Sequence, residues 1–192
     1  MDLREHAWRS AEAAFYLTQH RLFRSARHIA CYLPSDAELD PTPIMAKAWA
    51  MGKTVYLPVL SVHHHNHLHF LPYAPGDALQ PNRFGIPEPV RRGRGMIKLS
   101  RLDLVLTPLV GFDAQGNRLG MGGGFYDRSF AFLRRRHAWR KPRLLGLAFD
   151  VQEVNSQTDS QGTEGGLLRH TWDVPLDGVV TESGVKMVGR AS

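Results

Sequence analysis

Cysteine is almost absent from this chain. Cys31 is the only one among 192 residues, so neither an internal disulfide nor a metal site of several thiolates can form. Because Cys31 lies in the apolar run HIACYLP, we predict that it is a small residue of the hydrophobic core. The sequence thus excludes a domain held together by internal disulfides.

Long hydrophobic runs are missing as well. Stretches such as LDLVLTPLV and RLLGLAF are well short of the roughly 20 residues that a membrane-spanning helix needs. The first 25 residues alternate charged and apolar groups, so they do not resemble a secretory signal. With 43% hydrophobic and 22% charged residues, we expect one cytoplasmic globular domain over 1–192, without membrane contact.

Acidic residues are in the minority. The chain has 24 Lys and Arg against 18 Asp and Glu, a formal net charge of +6, and much of the excess lies in RRGRG (91–95) and RRRHAWRKPR (134–143). A basic surface favours anionic partners such as nucleic acid, ATP or a polyglutamylated substrate. Since no zinc-finger, RNP-type or homeodomain pattern accompanies these runs, we expect a solvated basic face, with nucleic acid an unlikely partner.

The order of elements is typical of an α/β fold. HIACYL (28–33) and KTVYLPVL (53–60) have the pattern of buried strands, and the segment between them has helical spacing with Thr42 as the expected N-cap. Such a unit needs parallel strands joined by a right-handed crossover. We therefore predict a three-layer, Rossmann-like open sheet, mostly parallel with an antiparallel edge, with helices on both faces.

The remaining segments extend this prediction. Residues 1–24 form an expected amphipathic N-terminal helix, and LHFLPY (68–73) is expected to pair back on the second strand as the antiparallel edge. The Pro-, Gly- and Arg-rich segment 74–100 has the length of a functional loop. Residues 183–192 are expected to be a loose tail. Further strands are predicted at 103–109, 143–149 and 177–182.

The segment RLGMGGGFYDR (118–128) places four glycines within five positions. Such a cluster is favoured where the backbone must approach a ligand closely. The segment fails the dinucleotide fingerprint, whose sixth position here is Phe125, and it lacks the Gly-Lys-Ser/Thr end of a P-loop. Its amides and the start of the following helix could still cradle a phosphate chain. The alternative is a plain glycine-rich turn between strand and helix.

Charged residues border this loop. Arg118 and Arg128 could flank a bound anion. Asp127 would be a poor neighbour for bare phosphate but suits phosphate that carries Mg²⁺, because this ion prefers a few carboxylates plus substrate oxygens. The segment therefore predicts binding of a magnesium-bound phosphate chain.

The histidine-rich string HHHNHLH invites a second metal hypothesis, since His65, His67 and His69 alternate along a strand. No carboxylate or cysteine stands at ligand spacing from them, and the string falls at a predicted hairpin tip. We expect an exposed polar loop rather than a metal site.

The longer segment GFDAQGNRLGMGGGFYDR resembles the signature of the 5-formyltetrahydrofolate cyclo-ligases, also called methenyltetrahydrofolate synthetases. The resemblance covers most of residues 28–182 and implies an ATP- and magnesium-dependent enzyme. Its implied reaction converts 5-formyltetrahydrofolate to 5,10-methenyltetrahydrofolate and releases ADP and phosphate. Four further blocks resemble the family in the same order: IACYLPSDAELDPTPIMAKAWAMGKTVYLPVL, LHFLPY, NRFGIPEP and WDVPLDGVVTE.

The resemblance also implies roles for single residues. Arg118 and Tyr126 are implied to act at the reacting groups and to bind ATP. Asp127 and Asp173 are implied as magnesium ligands. The other implied ATP-binding residues of this segment are Gly120, Met121, Gly122, Gly123, Gly124 and Phe125.

For the folate, the resemblance implies that Glu38 accepts hydrogen bonds from the pterin ring and that Phe84 and Tyr73 pack in the same pocket. The family also has basic residues near its N-terminus that reach the ATP phosphates, whereas this chain begins MDLREHAW. Three explanations stay open: the start lies further upstream, Arg4 and Arg9 substitute, or ATP binding is weaker.

One rival interpretation is a catalytically impaired homologue that binds nucleotide or RNA through its basic face, and a second is another ATP-using enzyme on the same scaffold. Retention of Glu38, Tyr126 and Asp127 favours catalysis. We expect a folate substrate and a monomer.

Overall fold

The computed structural model describes residues 1–35, 38–90, 95–135, 141–154 and 166–189. Parts of both basic runs and of the predicted tail therefore lie outside the described residues. No helix in these ranges combines the length and the apolar character that crossing a membrane would require.

The helices begin with α1 (Leu3–Gln19) and α2 (Arg21–Ser25), followed by α3 (Thr42–Ala50) and α4 (Phe125–Ser129). The predicted single helix over 1–24 is divided at His20, whose extended backbone ends α1 and whose ring accepts a hydrogen bond from the Leu22 amide. Short 3-10 turns lie at Leu99–Arg101, Ala131–Arg135 and Asp150–Gln152.

The cap of α3 differs from the prediction. Thr42 is the first helical residue, and Pro41 occupies the cap position without a side-chain hydrogen bond. The carboxylate of Asp40 instead accepts the Thr42 amide at 2.8 Å. We expected the Thr42 hydroxyl to accept a backbone amide in the first turn of α3. In the structure, the Asp40 side chain, two residues upstream, accepts the amide of Thr42 itself.

Seven strands form one sheet, in the order β11 (Gly184–Met187), β10 (Gly178–Thr181), β9 (Arg143–Leu147), β6 (Leu104–Pro108), β1 (His28–Ala30), β2 (Thr54–Leu60) and β3 (Leu68–Tyr73). The five inner strands are parallel, and β3 pairs antiparallel with β2, so the predicted mostly parallel sheet with an antiparallel edge is confirmed.

The prediction of a loose tail at 183–192 was wrong for its first part. Gly184–Met187 form β11, which pairs antiparallel with β10 and gives the sheet a second antiparallel edge. The tight turn at Ser183 returns the chain onto β10, so backbone hydrogen bonds order a segment whose side chains are mostly exposed.

Two hairpins lie outside this sheet. Leu79–Pro81 (β4) and Pro87–Pro89 (β5) pair within the segment 74–100. Gly111–Phe112 (β7) and Arg118–Leu119 (β8) pair after β6, where we expected the chain to enter the glycine-rich segment directly. Strands of two or three residues are too short for hydrophobic periodicity to reveal.

The buried parallel strands separate two hydrophobic clusters. Leu104 and Leu106 of β6 face the cluster that contains α1, α2 and α3, whereas Val105 faces the cluster that contains Phe130 and Leu133 after α4. The prediction of helices on both faces is thereby confirmed. Cys31 is fully buried in the first cluster, as expected for a small core residue.

Candidate active site

The carboxyl-terminal ends of the parallel strands, here called the carboxyl edge, gather the predicted site residues. The loop after β1 carries Glu38, and the long connection after β6 carries the glycine loop, defined as residues 120–124. The start of α1 reaches the same edge, since the His6 ring contacts the Glu38 carbonyl at 2.8 Å and packs edge-on against Phe149. Ligands of open α/β sheets bind at this edge.

The β7–β8 hairpin sets the entry to the glycine loop. The carboxylate of Asp113, which is buried, accepts the backbone amides of Gln115, Asn117 and Leu167 and the side-chain amide of Asn117. Gly116 has φ +80°, and a β-carbon there would lie 2.7 Å from the Val188 side chain. These contacts fix the direction in which β8 presents Arg118.

Asp113 had no role in our sequence analysis, although it lies inside the signature segment. An aspartate three residues before a glycine, in DAQG, is a recognisable turn signal. Its link to Leu167, more than fifty residues away, has no local signal.

Two glycines of the loop have backbone angles that favour glycine. Gly122 has φ +82° and Gly124 has φ +60°, a region that other L residues rarely adopt. A β-carbon on Gly123 would lie 2.7 Å from the Phe125 ring. Among the described residues, the backbone amides of this loop donate to no protein acceptor. The glycine loop is therefore a row of available donors at the carboxyl edge.

The helix that follows the loop is short. α4 has five residues and continues as the 3-10 turn Ala131–Arg135, where we predicted one regular helix. A single turn sums few peptide dipoles, so the loop amides rather than a helix macrodipole dominate this part of the site.

Arg118 is directed inward. Its side chain is 7% exposed; one guanidinium nitrogen donates to Asp127 at 2.6 Å and another donates to the Val174 carbonyl at 2.8 Å. The Val174 amide in turn donates to the same Asp127 oxygen at 3.0 Å. Arg118 thus joins β8, α4 and the segment before β10, and two of its nitrogens are committed to protein acceptors.

Asp127 and Asp173 lie on neighbouring segments, because Asp127 is hydrogen-bonded to Val174. The Asp127 oxygen Oδ2 accepts no hydrogen bond from a described residue. For Asp173, Oδ2 accepts the His170 amide at 2.7 Å, and Oδ1 accepts none within the described ranges. Two carboxylates with one available oxygen each fit the hard-oxygen donor set of Mg²⁺.

A metal site made of protein ligands alone would need more side chains than Asp127 and Asp173. Within residues that the structure describes, no group of three or more His, Cys, Asp or Glu side chains is arranged to hold a metal ion. Magnesium commonly completes its coordination with substrate phosphates and water, so two carboxylates suit it only together with a phosphorylated ligand.

Glu38 and Tyr126 share one electrostatic environment. Burial raises the pKa of the Tyr126 hydroxyl, the Glu38 carboxylate raises it further, and the Arg118 guanidinium opposes both. Burial and Glu38 also raise the pKa of Tyr32, whose hydroxyl donates to the Leu39 carbonyl at 2.6 Å. The structure thus brings Glu38 near Arg118 and Tyr126, which lie about eighty residues later in the sequence.

The two aromatic residues predicted for the folate pocket, Phe84 and Tyr73, lie at opposite edges of the sheet. Phe84, between β4 and β5, is 55% exposed and packs edge-on against Phe125, with ring centroids 6.0 Å apart. Tyr73 ends β3 beside Val55, at the opposite end of the strands, and its ring lies against Trp49. It is five residues from Leu68, or about 17 Å along the strand. The structure does not bring Tyr73 to the site, because an antiparallel strand ends at the other edge.

Arg4 and Arg9 differ in their surroundings. Arg4 lies exposed in the first turn of α1, at the carboxyl edge. Arg9 is bound to the carboxylates of Glu5 and Glu182, so it anchors α1 on the sheet. Of the two, Arg4 is the one whose side chain is open to a ligand.

The histidine loop, defined as residues 61–67, joins β2 to β3 at the same edge. His63, His64 and His65 are exposed. The Asn66 side-chain amide donates to the Gly123 carbonyl at 3.1 Å, a contact that the sequence did not signal.

A cavity of about 520 Å³ lies elsewhere, at the amino-terminal ends of the parallel strands, here called the amino edge. Two pairs of its lining groups interact: Lys141 binds Asp103 at 2.6 Å, and the His28 ring contacts the Tyr56 hydroxyl at 3.0 Å. This cavity holds none of the predicted site residues.

Known proteins resemble the chain in sequence. It matches the profile of the 5-formyltetrahydrofolate cyclo-ligase family over residues 2–182. It is 43% identical over 162 residues to the 5-formyltetrahydrofolate cyclo-ligase of Escherichia coli, which covers 83% of this chain and 80% of that protein. The cyclo-ligase of Haemophilus influenzae is 39% identical over 166 residues, again with 83% and 80% coverage.

Solved structures resemble the fold. The 5,10-methenyltetrahydrofolate synthetase of Aquifex aeolicus has a TM-score of 0.75 and 29% identity, and the match covers 100% of this chain and 88% of that one. The 5,10-methenyltetrahydrofolate synthetase of Mycoplasma pneumoniae shares the fold at a TM-score of 0.68 and 19% identity, over 95% and 90% of the two chains. Since the family profile spans nearly the whole sequence and relatives match over most of their length, this chain belongs to the 5-formyltetrahydrofolate cyclo-ligase family of enzymes.

Proposed function

We propose that this chain converts 5-formyltetrahydrofolate to 5,10-methenyltetrahydrofolate with ATP and magnesium. The formyl oxygen attacks the γ-phosphorus, the bond to the β-phosphate oxygen breaks, and ADP leaves. The neighbouring folate nitrogen attacks the activated carbon and loses its proton, and departure of phosphate leaves the methenyl bridge. Phosphoryl transfer requires of the protein mainly positioning and charge stabilisation.

The observation that carries this proposal is the row of amides in the glycine loop that have no described protein acceptor. Phosphate oxygens are strong acceptors, and glycine lets the backbone come close to them. The loop lies at the carboxyl edge, where ligands of such sheets bind. We assign Gly120, Met121, Gly122, Gly123, Gly124 and Phe125 to the phosphate chain of ATP, with Arg4 reaching it from α1.

Arg118 acts mainly by holding Asp127 in place. Its two donated hydrogen bonds fix the Asp127 carboxylate and the Val174 carbonyl, which leaves Oδ2 of Asp127 for a ligand. Asp127 and Asp173 would hold magnesium together with phosphate oxygens. When bound, the ion neutralises charge on the phosphates that the glycine loop positions.

Glu38 and Tyr126 serve the folate side of the reaction. The Glu38 carboxylate is suited to accept hydrogen bonds from the donor edge of a pterin ring. The Tyr126 hydroxyl is protonated at neutral pH, because the ordinary tyrosine pKa is about 10 and burial raises it further, so it can donate a hydrogen bond to the reacting oxygen. Phe84 and Phe125 offer a partly exposed aromatic surface for the rest of the folate.

The test is a direct assay of the purified chain. Protein, magnesium, ATP and 5-formyltetrahydrofolate are mixed, and the methenyl product is followed by its absorbance, with ATP omitted in the control. We expect product only when ATP is present. Absence of product, together with RNA binding that weakens steeply as salt rises, would instead support the nucleic-acid-binding alternative.

A further inference from the structure

The histidine loop supports the glycine loop from outside. The Asn66 side-chain amide donates to the Gly123 carbonyl at 3.1 Å, and an Arg128 guanidinium nitrogen donates to the same oxygen at 2.7 Å. At the end of the histidine loop, the Leu68 amide donates to the Ser129 hydroxyl, which itself donates to the Phe125 carbonyl. The two segments are therefore joined on both sides of the loop-to-helix junction.

The backbone of Asn66 is unusual. With φ +55°, it is the one residue other than glycine that has positive φ within the described ranges. Asn tolerates this conformation better than most residues, but glycine adopts it without strain. An Asn here adds what glycine lacks, a side-chain amide, and that amide is the group bound to Gly123.

The contact controls the direction of one peptide group. Because a peptide is planar and trans, the Gly123 carbonyl and the Gly124 amide point in opposite directions. Gly123 lies between Gly122 and Gly124, both at positive φ, so this segment has unusual freedom to reorient its peptides. Two donors on the Gly123 oxygen, from Asn66 and Arg128, therefore keep the Gly124 N–H directed away from both of them.

We propose that Asn66 is a positioning residue for nucleotide binding, which keeps the Gly123–Gly124 peptide in the orientation that presents the Gly124 amide to a phosphate oxygen. This inference rests on the proposed function for its link to ATP. The orientation of the peptide itself is a property of the free protein and can be measured without any substrate.

The test compares three variants. Asn66→Gly allows the same backbone conformation and removes the side chain with its amide, and Asn66→Asp keeps the size but cannot donate at neutral pH. His63→Ala is the matched control, because His63 is an exposed residue of the same loop. We expect the KM for ATP to rise about 2- to 10-fold in Asn66→Gly and at least as much in Asn66→Asp, from the loss of one hydrogen bond. The KM for 5-formyltetrahydrofolate should stay within twofold in all three.

Hydrogen exchange of the free protein gives the second readout. In the segment 128–130, where the Arg128 amide donates to the Gly124 carbonyl and the Phe130 amide donates to the Tyr126 carbonyl, amides should exchange faster in Asn66→Gly than in the wild type or in His63→Ala. An unchanged KM for ATP, an equal rise in both KM values, or unchanged exchange in this segment would overturn the proposal. A wild type without turnover would count against the proposed function alone, since the exchange comparison would still decide whether Asn66 holds the loop.

Discussion

Aspartates at the amino edge and Asp127 at the carboxyl edge differ in how far the protein itself occupies their oxygens. At the amino edge, both oxygens of Asp103 are used: one binds Lys141, and the other accepts the amides of Arg27 and His28. Asp177 is similarly engaged by Arg143 and the Leu144 amide. At the carboxyl edge, Asp127 keeps an oxygen that accepts from no described residue. Polar groups that pair within the protein hold a fold, whereas groups left available can hold a ligand.

The loops explain this difference. At the amino edge, Asp103 immediately precedes β6 and lies beside the start of β1. Both of its carboxylate oxygens therefore find partners in neighbouring segments of the protein. At the carboxyl edge, the connection after β6 runs through a hairpin and a glycine loop before α4 begins. A backbone that makes no regular pairs over 120–124 leaves its donors for something else. We therefore expect substitutions at the carboxyl edge to lower activity and substitutions at the amino edge to lower stability.

The largest effect on activity should come from Asp127→Asn. This variant keeps an acceptor for Arg118 and Val174 but removes the charge that would bind magnesium. We expect kcat to fall by on the order of 10²- to 10³-fold, as for loss of one group that stabilises transition-state charge. The measurement is steady-state turnover over a magnesium titration, and a wild-type rate would contradict the assigned role.

Asn is preferred to Ala at this position for a structural reason. Asp127→Ala would leave the nearly buried Arg118 guanidinium without its carboxylate, and an unpaired buried charge is strongly destabilising. A loss of activity in Asp127→Ala could then reflect unfolding, which thermal melting of both variants would reveal.

A smaller effect on activity is expected from Gly124→Ala. A side chain at φ +60° costs about 1–2 kcal/mol, and the loop would relax to another conformation. The KM for ATP should rise severalfold. Gly52→Ala is the control, since Gly52 follows α3 at φ +68° with open space around its α-carbon. Gly52→Ala should lower stability by a similar amount without changing the KM for ATP, and equal KM changes in both variants would contradict a specific role of Gly124 in ATP binding.

The smallest effect on activity is expected from Asp103→Asn. This amino-edge variant should keep kcat and both KM values within twofold, while the free energy of unfolding falls by about 1–3 kcal/mol through lost hydrogen bonds. A marked loss of turnover at full folding would show that the amino edge contributes to the site.

Asp103 should also make the stability of the protein depend on pH. Burial alone would raise the pKa of Asp103, but hydrogen bonds from Lys141, His28 and Arg27 outweigh it and lower the pKa. A lowered pKa stabilises the fold above the ordinary carboxyl pKa of about 3.9, and this contribution is lost as the pH falls below that value. Urea unfolding should therefore show that the free energy of unfolding falls more between pH 7 and pH 3 in the wild type than in Asp103→Asn.

Sequence patterns predicted the parallel sheet because its strands are continuous apolar runs separated by helical spacing. They also located the glycine loop, since four glycines in five positions are rare outside a site or a turn. They missed β11, whose order comes from backbone pairing with β10 rather than from side chains. They could not show that Arg118 turns inward, because its partner Val174 is 56 residues away in sequence.

The position of Tyr73 follows from the strand topology alone. The predicted antiparallel pairing of 68–73 already carries its last residue to the amino edge, away from the glycine loop. Resemblance to a family motif suggested the pocket, but strand direction decides the position. Phe84, by contrast, reaches Phe125 through a hairpin that no periodicity in 74–100 revealed.

The most direct measurement is a nuclear magnetic resonance titration of ¹⁵N-glycine-labelled protein with magnesium and a non-hydrolysable ATP analogue. We expect saturable shifts of the Gly120, Gly122, Gly123 and Gly124 amides, whereas the amides of Gly95 and Gly178 at the amino edge should not shift. Shifts confined to Gly95 and Gly178, or no shift in the glycine loop at saturating analogue, would contradict the claim that this loop binds the phosphates of ATP.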